Sequence, residues 1–166
     1  MKTLSIESLK EEVENLKEIY CDGSCIRNGA EDSPGGWNFI VIDHDTVIDS
    51  VSGSEVPNKK LPNTNIRLEL MAVIKALEHF EEPEDLMIHS DSAYVVNGVN
   101  QGWYKRWFRT GKNSLGKRPA NMDLWKRLVA QLKRHTSVKM IHVKGHSGHR
   151  WQELSDTFAR QAATSI

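Results

Sequence analysis

The apolar positions of this chain change period several times, and each change marks an element. Leu9, Val13 and Leu16 fall on one helical face of SIESLKEEVENLKE, whose other positions are mostly charged, so residues 1–16 are predicted to be an amphipathic helical extension. From Glu18 to Asp22 the period drops to two, with Ile19 and Cys21 on one side of a strand and Tyr20 and Asp22 on the other. Gly35 to Asp43 and Val47 to Glu55 read as two more strands joined by the polar turn DHDT, an antiparallel meander. The helical period returns in PNTNIRLELMAVIKALEHFEEPED, with a start signal at Thr64 or Asn65, apolar residues at Ile66, Leu70, Val73, Leu77 and Phe80, and a stop at Pro83. Leu86 to Ser90 is a short apolar strand running into Asp91. A helix through Tyr94, Val95 and Val96 follows, then a basic and aromatic stretch from Trp103 to Arg118. Asp123 to His135 reads as a helix, Val138 to Lys144 as a strand, and Trp151 to Ala163 as the terminal helix. The predicted order is βββαβααβα, an α/β domain with a five-stranded mixed sheet over residues 17–166.

A length of 166 residues suits one domain, and the absence of repeats or low-complexity linkers agrees with that. The net charge is zero, from 22 basic and 22 acidic residues, but the charges are unevenly placed. Between Ser92 and Met122 there is no acid, whereas Lys105, Arg106, Arg109, Lys112, Lys117 and Arg118 all lie there, just after the acidic run Glu81, Glu82, Glu84 and Asp85. One face is therefore expected to be locally basic. No apolar run is long enough for a membrane span, and the acidic N-terminus has no signal-like apolar core, so a cytoplasmic protein with no membrane partner is expected. Cys21 and Cys25 lack a second Cys or His pair that would complete a zinc site; they read as reduced structural thiols.

Four carboxylates in four segments carry most of the chemistry: Asp22 in IYCDGSC, Glu69 in NIRLELMAV, Asp91 in MIHSDSAYVV and Asp156 in WQELSDTFARQAA. Each follows or interrupts an apolar stretch, and an unpaired carboxylate is costly to bury. A hard divalent cation removes that cost, since Mg2+ sits on a few carboxylates together with water and substrate phosphate. Taken singly, each acid could equally be a helix cap or an exposed charge.

The motifs YCDGSC, TNIRLELMAVIKAL, HSDSAYV, DLWKRL and KGHSGH, in that order and followed at a fixed distance by Asp156, resemble type 1 ribonuclease H from about Lys17 to the C-terminus. The resemblance implies a ribonuclease H-like fold with helices on both faces of the sheet. It further implies that Asp22, Glu69, Asp91 and Asp156 hold two Mg2+ ions, with Mn2+ able to substitute. The implied activity is hydrolysis of the RNA strand of RNA/DNA hybrids, leaving 5′-phosphate and 3′-hydroxyl ends. His146, in the glycine-containing KGHSGHR loop, matches a position that assists proton transfer or product release; His149 has no such match, and either could be a solvent histidine. Neither histidine is expected to bind Mg2+.

Asn28 and Asn65 match positions that contact the 2′-hydroxyl, and Thr64 and Asn121 match positions that hold a phosphate of the DNA strand. The alternatives are local: Asn28 as a turn residue, Asn65 as a cap, Thr64 and Asn121 as caps of the helices that follow. Lys105, Arg106, Arg109 and Lys112, interleaved with Trp103, Trp107 and Phe108, match the basic protrusion with which some members grip the hybrid; otherwise they are a solvated face. Three departures stand out. Ile66 replaces a common asparagine, Gln152 replaces an asparagine four residues before Asp156, and RNGAEDSPGGW is long and acidic. A related polynucleotidyl transferase and a degenerate binding domain are the competing readings, disfavoured by KGHSGH and by the four intact acids. A monomer is expected, with dimerisation through the N-terminal helix as the alternative.

Overall fold

The computed structural model describes residues 5–9, 16–145 and 148–165. Strands β1 (Leu16–Cys25), β2 (Gly35–Asp43) and β3 (Thr46–Glu55) form the meander, followed by α1 (Asn65–His79) and β4 (Asp85–Ser90). Three helices, α2 (Ala93–Asn100), α3 (Trp103–Thr110) and α4 (Met122–Arg134), precede β5 (Ser137–His142) and α5 (Arg150–Thr164). The sheet has five strands in the order β3-β2-β1-β4-β5. β1, β2 and β3 pair antiparallel, and β4 and β5 run parallel to β1.

Local chemistry accounts for the boundaries. His44 and Asp45 connect β2 to β3 with φ of 49° and 59°, the two left-handed residues that a tight hairpin turn requires. Thr64 caps α1, its hydroxyl accepting from the Arg67 N–H at 3.1 Å. The sheet separates two cores. The larger joins Ile19, Cys21, Phe39, Leu86 and Ile88 to α1 and to Trp107, Trp125 and Leu128; the smaller sets Tyr20, Ile40 and Ile42 against Trp151 of α5.

Two predictions change. Leu16 does not belong to the N-terminal helix: it opens β1 and pairs with Asp85, because parallel pairing with β4 extends the strand toward the N-terminus. Residues 6–9 are helical, with Leu9 46% exposed, while Val13 lies outside the described residues. The basic and aromatic stretch, to which the sequence assigned no element, begins as α3. Its Trp107 is buried against Trp125 and Tyr94, with ring centroids 5.3 and 6.3 Å away, so an aromatic anchor holds the segment as a helix.

Candidate active site

β1 and β4 lie side by side in parallel, with Tyr20 opposite His89; continuing that register places Asp22 opposite Asp91. Asp22 does not end its strand, since β1 runs on to Cys25 against β2. Glu69 arrives from the first turns of α1, which crosses β1 in direct backbone contact. A Cβ on Gly23 would lie 2.1 Å from the Leu68 carbonyl carbon, so only glycine permits this approach. Ligand atoms of Asp22, Glu69 and Asp91 fall within 4.8 Å of one another.

This cluster is electrostatically unsatisfied. Asp22 is 1% exposed and Glu69 9%. Asp22 Oδ1 accepts from the Gly23 N–H at 3.0 Å, but Asp22 Oδ2 and Glu69 Oε2 are buried with no hydrogen-bond partner among the described residues. Burial pushes the Asp22 carboxyl up to about 8, the neighbouring Asp91 and Asp156 charges adding to the effect. Burial, with the charges of Asp22 and Asp91, holds Glu69 well above the usual carboxylate range. Buried polar atoms are normally paired, so two orphaned carboxylate oxygens beside a third acid suit a hard divalent cation with oxygen ligands. The residues present fit that group.

Asp156, on α5, stands apart from the three. It is close enough to raise the Asp22 pKa, yet its carboxylate is tied to Arg160 at 2.7 Å. α5 itself is held close by Gln152, 3% exposed, whose Nε2 donates to the Cys21 carbonyl at 2.9 Å, one residue before Asp22. That strap was invisible in the sequence, where Gln152 registered only as a departure from a pattern; its spacing of one turn before Asp156 was the available signal.

His146 lies outside the described residues. His149 is not a solvent histidine: it precedes α5 and tilts over Tyr20, with ring centroids 4.9 Å apart and its Nε2 3.4 Å from the phenol oxygen. Tyr20 in turn stacks on His89 at 4.1 Å, and Glu18 is 2.9 Å from His89 Nε2. Burial pulls the His89 pKa down against the opposing pull of Glu18. This cluster, unrecognised in the sequence, shares a sheet face with Asp22 through the two-residue alternation of β1.

Asn28 and Asn65 are linked. Asn28 Oδ1 accepts from the Asn65 N–H at 2.9 Å, and Asn65 Oδ1 from the Cys25 N–H at 3.2 Å, so Asn65 braces the loop while Thr64 performs the capping. Asn121 is not a side-chain cap either: it adopts φ of 63° before α4 and accepts instead from Arg67 Nη1 at 3.2 Å. Lys105, Arg106, Arg109 and Lys112 are all exposed, and none forms an ion pair among the described residues. Between α3 and Asn121 a cavity of about 610 Å³ is lined by Trp103, Arg106, Asn113 and Ile66. The structure thus gathers the basic helix, the Asn121 amide and the start of α1 around one concavity.

Comparisons with known proteins agree with this geometry. The family model described as RNase H matches residues 14–164. The ribonuclease H of Syntrophomonas wolfei is 40% identical over 157 residues, covering 91% of this chain and 99% of that protein. The ribonuclease H of Dinoroseobacter shibae is 43% identical over 147 residues, covering 86% and 87%. Among solved structures, the crystal structure of LC9-RNase H1, a type 1 RNase H with the type 2 active-site motif, superposes with a TM-score of 0.71 at 29% identity, covering 90% of this chain and 72% of that one. A foamy viral protease-reverse transcriptase in complex with RNA/DNA hybrid shares the fold, with a TM-score of 0.74 at 21% identity over 100% of this chain and 21% of its own. With a buried carboxylate cluster at the junction of β1, β4 and α1, and with family similarity along nearly its whole length, the chain is a nuclease of the RNase H family.

Proposed function

We propose that this ribonuclease H cleaves the RNA strand of RNA/DNA hybrids by two-metal-ion catalysis with Mg2+, leaving 5′-phosphate and 3′-hydroxyl ends. The observation that carries the reading is the trio Asp22, Glu69 and Asp91, whose ligand atoms lie within 4.8 Å and include two buried oxygens without partners. These three, with Asp156 at the cleft edge, would hold the ions. When bound, such ions polarise the scissile phosphate, activate water and stabilise the leaving oxygen.

The chain's own residues supply the rest. Burial keeps Asp22 and Glu69 out of bulk water, which strengthens their interaction with a cation in a low-dielectric site. Gln152 holds α5, and with it Asp156, against β1. Of the four acids, Asp156 is the one that carries a counter-cation among the described residues, Arg160, so it can exchange that partner for a metal without leaving a buried charge unpaired. His146, which follows β5 in the sequence, is the proposed proton-transfer or product-release group. Asn28 and Asn65 face the 2′-hydroxyl, Thr64 and Asn121 a DNA phosphate, and Lys105, Arg106, Arg109 and Lys112 the backbone further along.

Four duplexes of one sequence test the reading: RNA/DNA, RNA/RNA, DNA/DNA, and a duplex carrying a single ribonucleotide. Cleavage is expected in the RNA strand of the hybrid alone and only with a divalent metal. Equal cutting of DNA/DNA would transfer the site to the transposase or resolvase class. Efficient cutting at the single ribonucleotide would contradict a groove that reads several consecutive riboses.

The basic segment formed by α3 and the residues just after it makes a separate prediction. Alanine at Lys105, Arg106, Arg109 and Lys112 together raises KM for the hybrid and flattens the plot of log affinity against log salt by about three to four counterions, with kcat changing little. The four side chains are exposed and unpaired among the described residues, so their loss leaves the core intact. An unchanged salt slope would show them to be a solvated surface.

A further inference from the structure

α5 lies over β2 along a seam of small and polar side chains. Gln152, Ser155, Ala159, Ala162 and Ala163, on one helical face, are all buried. The C-terminal part of the seam is set by close approach at Gly36, where a Cβ would lie 2.3 Å from the Ala159 carbonyl oxygen and 2.4 Å from the Ala163 nitrogen. Toward Asp156 the contacts become hydrogen bonds. Asn38 stands directly opposite Asp22 on β1 and opposite Ser52 on β3, so Ser52, Asn38 and Asp22 form a row on one face of the sheet. Ser155 comes down onto the middle of that row. Its hydroxyl donates to Asn38 Oδ1 at 2.8 Å, and both residues are 0% exposed.

The chemistry of Asn38 leaves this contact one arrangement. Asn38 Nδ2 lies 3.1 Å from the Val51 carbonyl, which only accepts, and 3.2 and 2.9 Å from the Ser50 and Ser52 hydroxyls. The amide nitrogen therefore faces β3 and the amide oxygen faces α5; the flipped amide would set two acceptors against each other. An apolar seam tolerates sliding and rotation because burial has no direction, whereas a hydrogen bond weakens steeply when bent or stretched. Asp156 is the next residue, near enough to Asp22 for its charge to add to the upward push on that carboxyl. Successive residues are about 100° apart around a helix, so a helix held by Ser155 over Asn38 carries Asp156 on the flank of the seam.

We propose that Asn38 is a positioning residue for the carboxylate site: through Ser155 it fixes the rotation of α5 and so sets where the Asp156 carboxylate stands against Asp22, Glu69 and Asp91. The inference rests on the metal-dependent function proposed above. It gives the two polar contacts beneath α5 different tasks. Gln152 ties the start of the helix to β1, and Asn38 sets the turn that carries Asp156. Neither contact uses a carboxylate oxygen of the trio, so the loss of Asn38 or of the Ser155 hydroxyl acts through Asp156.

Ser155→Ala and Asn38→Val test it, the first deleting one oxygen, the second placing a strand-compatible side chain without polar atoms. In the metal-free protein, amide exchange over Glu153–Thr157 is expected to quicken about tenfold in Ser155→Ala, with β1 and α1 unchanged. Asn38→Val should show the same change to a smaller extent, because the backbone carbonyl of position 38 remains 3.3 Å from the hydroxyl. The metal concentration for half-maximal cleavage is expected to rise about tenfold in Ser155→Ala, the usual scale for removing a group that holds a metal ligand in place, while KM for the hybrid at saturating metal stays at its wild-type value. In an Asp156→Asn background neither substitution should shift the metal dependence further. A lowered melting temperature with wild-type metal dependence in both variants would reduce the network to a brace and overturn the proposal. An equal shift with Asp156→Asn present would also overturn it, by placing the effect on the trio. If Asn38→Val does not fold, Ser155→Ala decides by itself. The exchange measurement needs neither metal nor hybrid: wild-type exchange in Ser155→Ala overturns the positioning role, whereas quickened exchange in a protein that cuts no hybrid supports it and overturns the proposed function alone.

Discussion

Asp22→Asn abolishes metal-dependent cleavage and makes the metal-free protein more stable above neutral pH. Asp22 is 1% exposed, one of its oxygens meets no partner, and burial lifts its pKa from 3.8 to about 8. A carboxyl with a raised folded-state pKa holds its proton more tightly in the native than in the unfolded chain. Its stabilising contribution is therefore complete below about pH 4 and is lost as pH rises toward 8. In a chelating buffer, wild type should melt progressively lower between these limits, and Asp22→Asn should weaken that trend, Glu69 retaining part of it. Metal restores the balance in wild type, because the cation binds the deprotonated carboxylates and its affinity rises with pH. Asp91→Asn is expected to lose cleavage equally. Asp156→Asn should be milder, since Asp156 stands outside the trio and pairs with Arg160. Melting curves with and without metal, beside single-turnover cleavage, check all three; near wild-type cutting by Asp22→Asn or Asp91→Asn would end the metal assignment.

Gly23→Ala removes both stability and activity although glycine has no functional group to lose. The added Cβ would fall 2.1 Å from the Leu68 carbonyl carbon and 2.4 Å from the Glu69 nitrogen. Both are backbone atoms of α1 and cannot rotate away, so the helix must shift bodily from β1. Overpacking of this kind costs about 3 kcal/mol. The same shift withdraws Glu69 from Asp22 and Asp91, so cleavage should fail even at temperatures where the variant is folded. Urea unfolding gives the first effect and metal titration of the folded variant the second. Wild-type metal affinity in a folded Gly23→Ala would show that the cluster does not depend on the close approach of α1.

Much of the architecture was legible because it rests on near-neighbour effects. The alternation around Ile19 and Cys21, the helical spacing of Leu70, Val73 and Leu77, and the start signal at Thr64 predicted β1 and α1, and the structure places β1 over Leu16–Cys25 and α1 over Asn65–His79 with Thr64 as the cap. What misled was also local. Leu16 continued a helical stripe, yet its backbone is recruited by β4. The run from Trp103 showed no element by its period, but Trp107 finds a buried site against Trp125 and Tyr94 and becomes part of a helix. Asn121 carried a cap signal and is instead held by a guanidinium from another helix.

The sequence by itself determined most element types, the helix at Trp103–Thr110 excepted, together with the family and the identity of the acids, because strand and helix periods and ordered motifs are properties of residues close in the chain. Only the tertiary structure decided that three acids converge while Asp156 waits on Arg160, that Gln152 straps α5 to β1, and that Asn38 accepts the Ser155 hydroxyl. Those outcomes depend on distances between segments far apart in sequence. Such distances are set by how closely α1 and α5 can approach the sheet, and here glycines at positions 23 and 36, where helix backbone takes the place of a side chain, determine them.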